Sequence, residues 1–349
     1  MQLVTFERRE PSGEAVAPRH SMGERGLGFE ALEATLPGAR RLGALVPAGE
    51  HAGAVIDLNR ALAVKLAADD VGAPEAEANS LLPYDALAFL AEGAPALEAA
   101  RAALAFAVAA LESYDAPDLL RAGVVEPRRA VRLCAPVPRP GKIVGVARNY
   151  PAHAAEQGVA APTEPVLFLK APSAVIGPED EIALPAASSQ VDFEGELAAV
   201  IGRRARAVAA SEALEFVAGW CAANDVTARD FQNARGQHFI GKSCDSFAPL
   251  GPVLVTADEI ENPQDLSLRT LVSGELVQSA STKEMIFPVA EIVAFASRLM
   301  TLEPGDVILT GTPAGVGAAR KPPRFLRDGD VVEVAIERVG RLHNYVRGS

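Results

Sequence analysis

The chain has 349 residues, 49% apolar and 22% charged, so one large or two ordinary domains with real cores are expected. Its 33 basic residues against 45 acidic give a net charge of -12, which repels a phosphate backbone and excludes nucleic acid as a partner. Three cysteines, Cys134, Cys221 and Cys244, are too few and too scattered for a disulfide framework or a thiolate zinc site, and residues 1–10 hold no apolar signal core. The expected location is therefore a reducing cytoplasm, with no membrane span.

In chain order, a strand is expected near 54–58 within an otherwise helical first third. Over 96–114, Leu97, Ala100, Leu104, Val108 and Leu111 recur at spacings of three and four, which predicts a helix facing a core. Pro127, Pro136, Pro138 and Pro140 then end periodic structure, placing a boundary near Pro138. Residues 1–138 form a supporting domain, since they gather no cluster of catalytic residue types, and 139–349 form the second. There the texture turns to short β-branched runs between Gly, Pro and Asp, at 142–146, 196–201, 268–272, 307–310 and 331–336, with helices expected at 211–222 and 288–300. The fold class is α+β, dominated by strands.

Chemistry concentrates in this second domain. Read as a strand, 191–197 sends Glu194 and Glu196 to one face, where two like charges call for a cation between them. Asp225, placed at the end of the expected helix 211–222, would suffer the helix dipole and call for a cation too. Three carboxylates without adjacent His or Cys make a hard oxygen site suited to Mg²⁺ or Mn²⁺, with Ca²⁺ able to substitute in a crystal. Spacing alone fits solvated surface charges equally well. Arg229 and Gln232 follow at positions that would share a helical face with Asp225, ready for an anionic substrate.

The stretch 236–243 satisfies the phosphate-loop pattern GxxxxGK[ST], but no apolar strand leads into it and Pro249 and Pro252 fall where its helix should continue. A better use for Lys242 is to offset surplus carboxylate charge and bind a substrate oxygen.

Taken in order, Gly145-Val-Ala-Arg-Asn149-Tyr150-Pro-Ala-His153-Ala-Ala-Glu156, Pro165 to Lys170, Asp192-Phe-Glu194-Gly-Glu196, Asn224-Asp225-Val-Thr-Ala-Arg229-Asp-Phe-Gln232, Gly241-Lys242-Ser, Thr282 to Phe287 and Glu303 to Gly317 resemble the signature segments of the fumarylacetoacetate hydrolase family. The resemblance covers the chain beyond Pro140. Departures are Ala147-Arg148 where Gly-Leu is common, Cys244 where an aromatic is common, and Ser273 where Asn often precedes Gly274.

The resemblance implies a mixed β-sandwich or roll, a homodimer, and Mg²⁺ or Mn²⁺ held by Glu194, Glu196 and Asp225. It also implies action on 2-oxo or 1,3-dioxo acids, reactions that develop charge on an enolate oxygen. Hydrolysis needs a base as well, which His153 supplies if Glu156, three residues on, orients its ring on a short helix able to act as a lid. Tyr150 precedes that helix and, with Arg229, Gln232 and Thr312, completes the expected substrate contacts; Thr312 lies in a Gly- and hydroxyl-rich loop, 310–317, whose amides can bind a carboxylate. The expected reaction is hydrolysis of a carbon–carbon bond in an acylpyruvate. The alternatives are isomerisation of a hydroxymuconate-type or 2-hydroxyhepta-2,4-diene-1,7-dioate substrate, decarboxylation of oxaloacetate, and plain small-molecule binding without turnover.

Overall fold

Both halves of the chain contain hydrogen-bonded strands, with helices prominent in the first, in a computed structural model that describes residues 1–9, 39–113 and 116–348. It divides into two units, Met1–Cys134 and Ala135–Ser349.

The first unit holds more sheet than its patterning suggested. Five antiparallel strands lie in the order Val125–Glu126, Val55–Asp57, Arg41–Leu45, Gln2–Arg8, Val131–Cys134. Most of their residues are buried on both faces, so they lack the alternation that marks a half-solvated strand. Asp57 ends one strand, caps the helix Leu58–Ala68 and receives two bonds from the Arg41 guanidinium at 2.5 and 3.0 Å.

The long helix of this unit runs Ala94–Leu111, but its buried stripe is Ala96, Ala100, Ala103, Ala107 and Leu111. Of the expected stripe, Ala100 and Leu111 are buried, whereas Leu97, Leu104 and Val108 are only half-buried. Alanines let the helix Leu58–Ala68 approach closely, and that contact outweighs the larger side chains in fixing the rotation. The helix is long and apolar enough to meet the length and composition test for a membrane span. Its buried alanine stripe is equally that of a helix on its own unit's core.

The second unit is built on two sheets. In one, the order is Val166–Lys170, Ile143–Ala147, Val307–Leu309, Gly195–Ile201, Val217–Asn224, Ala248–Thr256; all neighbours are antiparallel except Ile143–Ala147 with Val307–Leu309. In the other, Glu275–Ser281, Ser267–Val272, Val331–Ile336 and Gly340–Arg347 lie antiparallel in that order, and Glu181–Ala183 pairs parallel to the last. Its strands alternate buried and open residues, as one-sided sheets do, whereas Gly195–Ile201 is buried throughout. This is the expected strand-rich mixed fold, and the five short runs are strands to within a residue or so at each end.

One expected element is absent. In place of a helix over 211–222, a short 3₁₀ turn at Ala213–Phe216 leads into the strand Val217–Asn224. Glu212, Ala213, Leu214 and Glu215 favour helix locally, but Val217, Gly219, Trp220 and Cys221 do not, and pairing on both edges at the centre of the sheet makes 217–224 a strand. The helix Val289–Leu299 forms as expected and buries Val289, Ile292, Val293 and Ala296.

Candidate active site

Sheet register assembles the carboxylates. Gly195 pairs with Asn224 across neighbouring antiparallel strands, which sets Glu194 opposite Asp225, whose N–H donates to the Glu194 carbonyl at 2.8 Å. Asp225 thus follows a strand rather than a helix, and it shares no helical face with Arg229 and Gln232, which lie on the separate helix Arg229–Arg235. On the other side, Val307–Leu309 delivers the loop 310–317, and the Gly311 N–H donates to Glu196 Oε2 at 2.7 Å. Gly311 has φ +97°, and a Cβ there would meet Asn149 at 2.6 Å, so only glycine brings that amide to the carboxylate. Gly195, between the two glutamates, lies against the second sheet, where a Cβ would come within 2.0 Å of Thr270 Oγ1.

The carboxylates of Glu194, Glu196 and Asp225 converge with ligand atoms within 4.8 Å of one another, and all three residues are buried. Cations hold two of them. Lys242 Nζ donates to Glu194 Oε2 at 2.8 Å and Asp225 Oδ2 at 2.5 Å; Lys170 Nζ donates to Asp225 Oδ1 at 2.5 Å; Arg229 donates to Glu194 Oε1 at 2.6 Å and Asp192 Oδ2 at 2.9 Å. Burial alone pushes the Glu194 carboxyl up, but Lys242 and Arg229 carry it below the ordinary carboxylate range. Burial opposes charge on Lys242 as well, and Asp225 and Glu194 overcome it, raising its pKa.

Glu196 differs. Its only hydrogen-bond partner among the described residues is the Gly311 amide, and burial with the charges of Asp225 and Glu194 pushes its pKa well up. Four buried carboxylates, counting Asp192, therefore face three cations, with Glu196 the one lacking a counter-ion. A hard divalent cation on Glu194, Glu196 and Asp225 fits this deficit and the all-oxygen donor set.

A cavity of about 480 Å³ opens beside Glu194. Of the residues expected from sequence, His153, Glu156, Lys242, Arg229, Gln232 and Thr312 line it. His153 and Glu156 lie on the helix Pro151–Glu156; His153 Nδ1 is 2.7 Å from Glu156 Oε1, and Glu156 Oε2 accepts from the Gly315 N–H at 2.8 Å, latching the helix to the loop 310–317. With Nδ1–H donating to the carboxylate, Nε2 carries the lone pair, and the Gln157 amide caps it at 2.9 Å.

Other expected residues are committed to the frame. Arg229 also donates to Gln232 at 3.3 Å, and Gln232 contacts His238 at 2.8 Å. Thr312 donates to the Gly195 carbonyl at 3.0 Å and accepts from Gln278 at 2.8 Å. Tyr150 does not line the cavity: its ring is buried and, among the described residues, its hydroxyl has no hydrogen-bond partner. The stretch 236–243 carries a five-residue helix, His238–Lys242, that follows another helix instead of a strand, and its lysine is spent on carboxylates.

Sequence reasoning assigned no role to Lys170, Asp192, Gln157 or Gln278. Asp192 joins Arg229 to the amides of Gly317 and Ala318, and Gln278 receives the Gly195 N–H at 2.9 Å. Both Lys170 and Asp192 stood within recognised segments, which was the available signal. Phe168, left unassigned, packs its ring 4.9 Å from Lys242 Nζ and stacks on His238 at 5.0 Å.

Comparison with known proteins agrees with this architecture. The family model described as Fumarylacetoacetate (FAA) hydrolase C-terminal matches residues 142–347. The mitochondrial oxaloacetate tautomerase FAHD2B of Bos taurus is 45% identical over 267 residues, covering 76% of this chain and 80% of that protein. Among solved structures, a 2-hydroxyhepta-2,4-diene-1,7-dioate isomerase from Mycobacterium marinum is 44% identical with a TM-score of 0.58, covering 65% of this chain and 82% of that one. A fumarylacetoacetate hydrolase from Exiguobacterium antarcticum is 35% identical with a TM-score of 0.69, covering 99% and 100%.

Proposed function

The chain belongs to the fumarylacetoacetate hydrolase family, and on that premise we propose that it is a divalent-cation-dependent enol–keto tautomerase of a small 2-oxo dicarboxylic acid such as oxaloacetate. The observation that carries this reading is the pairing, in one region, of a carboxylate cluster short of positive charge with an imidazole whose lone pair faces the cavity.

Glu194, Glu196 and Asp225 would hold Mg²⁺ or Mn²⁺, which when bound supplies Lewis acidity and a chelation point for adjacent carboxylate and keto oxygens. The chain's own residues do the rest. Glu156 fixes the His153 tautomer so that Nε2 can take the proton of the enol hydroxyl and deliver it to the neighbouring carbon, breaking O–H and forming C–H, with the reverse transfer turning ketone into enol. Gln157 must leave Nε2 for this to happen, so substrate displaces its amide. Lys242, whose three N–H groups are taken by Glu194, Asp225 and Thr227, lines the cavity as a fixed positive charge that stabilises the oxygen on which charge develops through its field. No carbon–carbon bond breaks.

The names of the relatives support proton transfer over bond cleavage: the bovine protein is called a tautomerase and the mycobacterial one an isomerase. Hydrolysis, ranked first from sequence, would use the same imidazole to activate water, so it stands as the second reading. A panel with Mg²⁺ separates them. Enol oxaloacetate converting to ketone without pyruvate formation supports the tautomerase; acylpyruvate cleavage with no effect on the enol supports the hydrolase.

A further inference from the structure

Three cationic side chains, Arg148, Arg229 and Lys242, line the cavity. Arg229 and Lys242 are each held by two carboxylates. Arg148 is not. Its Nε donates to a neutral acceptor, Gln157 Oε1, at 3.0 Å, and among the described residues its Nη groups have no hydrogen-bond or ion-pair partner. The nearest carboxylate in that chain of contacts, Glu156, is committed to His153 and to the Gly315 amide.

The position of Arg148 is held firmly. Its backbone is left-handed at φ +59°, which non-glycine residues rarely adopt, and the next residue, Asn149, is buried and pinned by bonds to the Phe287 and Thr310 carbonyls at 3.0 and 2.7 Å. Arg148 is also tied to the catalytic imidazole through one residue, since the Gln157 that takes its Nε bond caps His153 Nε2 at 2.9 Å.

We propose that Arg148 is the specificity-determining residue that receives the distal carboxylate of a dicarboxylic substrate. This deepens, and rests on, the tautomerase reading above. With Nε on Gln157, the Nη edge of the guanidinium remains free to take a carboxylate through two parallel bonds. The 2-oxo acid head lies at the carboxylate cluster, the distal carboxylate at Arg148, and the carbon between them faces His153. A substrate with an apolar tail leaves that cation unpaired, so diacids are selected over acylpyruvates.

The test is calorimetric binding to the Mg²⁺-loaded full chain of oxalate, which has only the chelating head, and of malate, which adds a distal carboxylate. Arg148→Met should weaken malate by about tenfold or more and oxalate by no more than about twofold, with Arg148→Lys in between, since it keeps charge without the fork. In turnover, KM for oxaloacetate should rise with kcat nearly kept, and its 4-methyl monoester should behave alike in wild type and variant. The proposal is overturned if wild type does not bind malate, if malate and oxalate weaken equally, or if kcat falls equally on diacid and monoester, which would leave Arg148 only a support for Gln157. Failure of the tautomerase reading looks different: no turnover of either acid while the malate–oxalate contrast persists.

Discussion

Replacing Glu196 with Gln should stabilise the cation-free protein while weakening its response to Mg²⁺. Glu196 is buried with no ion-pair partner among the described residues, and its carboxylate lies within 4.8 Å of those of Glu194 and Asp225. At that separation and an effective dielectric of about 20, each like-charged pair repels by roughly 3–4 kcal/mol. Lys242 offsets part of this, and proton uptake by Glu196 limits the rest, so the net gain on Glu196→Gln is about 1–3 kcal/mol. An amide oxygen can still accept from Gly311, so the local geometry survives. In EDTA the variant's Tm should exceed wild type by roughly 2–12 °C, using about 2–4 °C per kcal/mol for a domain of this size. Saturating Mg²⁺ should add about 3–4 kcal/mol to wild type at a few hundred times its Kd, and much less to the variant, reversing the order. Differential scanning calorimetry in EDTA and in Mg²⁺ reads both. A variant that is less stable in EDTA and keeps the full Mg²⁺ shift would mean that Glu196 is a structural carboxylate and the cluster is no cation site.

His153→Ala should lower kcat by ~10²–10⁴, the contribution of a positioned base, with Mg²⁺ affinity by calorimetry near wild type; Glu156→Gln should act in the same direction and more weakly. Gly195→Ala drives a Cβ to 2.0 Å from Thr270 Oγ1 and should cost about 1–3 kcal/mol, with Thr270→Ala in the same chain restoring part of the Tm, since the two residues share the clash. Burial pushes Asp330 up, but Arg324, the Arg327 amide and Ser273 together hold its pKa below the ordinary value. Its contribution to stability is thus present above the unfolded aspartate range and lost as pH falls through the depressed folded value, so Asp330→Asn should flatten the acid limb of a Tm–pH curve and leave the alkaline limb unmoved.

The metal-ligand candidates are legible because two glutamates flanking a glycine and a later aspartate are a local signal, whereas what brings the aspartate to the glutamates is sheet register, which is not local. Asp225 was placed at the end of a helix because 211–222 is rich in helix-forming residues, and that stretch is largely a central strand whose pairing on both edges overrides local preference. Asp225 wants a cation because register sets it opposite Glu194. The grip of Lys170 on Asp225 spans 55 positions, and nothing in the sequence pairs them. Gln157 and Arg148 have meaning only once the helix Pro151–Glu156 and the strand Ile143–Ala147 are folded around one cavity. The strand expected near 54–58 is present at Val55–Asp57, while Gln2–Arg8 and Arg41–Leu45 gave no signal because burial on both faces erases the alternation that reveals a strand. The turn at Ser273-Gly274, where Ser273 departs from the Asn common in the family, keeps a two-residue hairpin loop with positive φ at both residues, and Ser273 Oγ donates to Asp330 at 2.9 Å.

The most direct test of a cation-dependent proton transfer is the decay of oxaloacetate supplied as its enol, followed by enol absorbance in chelator-treated buffer as Mg²⁺ is titrated. Enzyme should accelerate the decay saturably with Mg²⁺ and without releasing pyruvate, and His153→Ala should remove most of the acceleration. A decay rate equal to that of buffer at the same Mg²⁺ concentration would contradict the account.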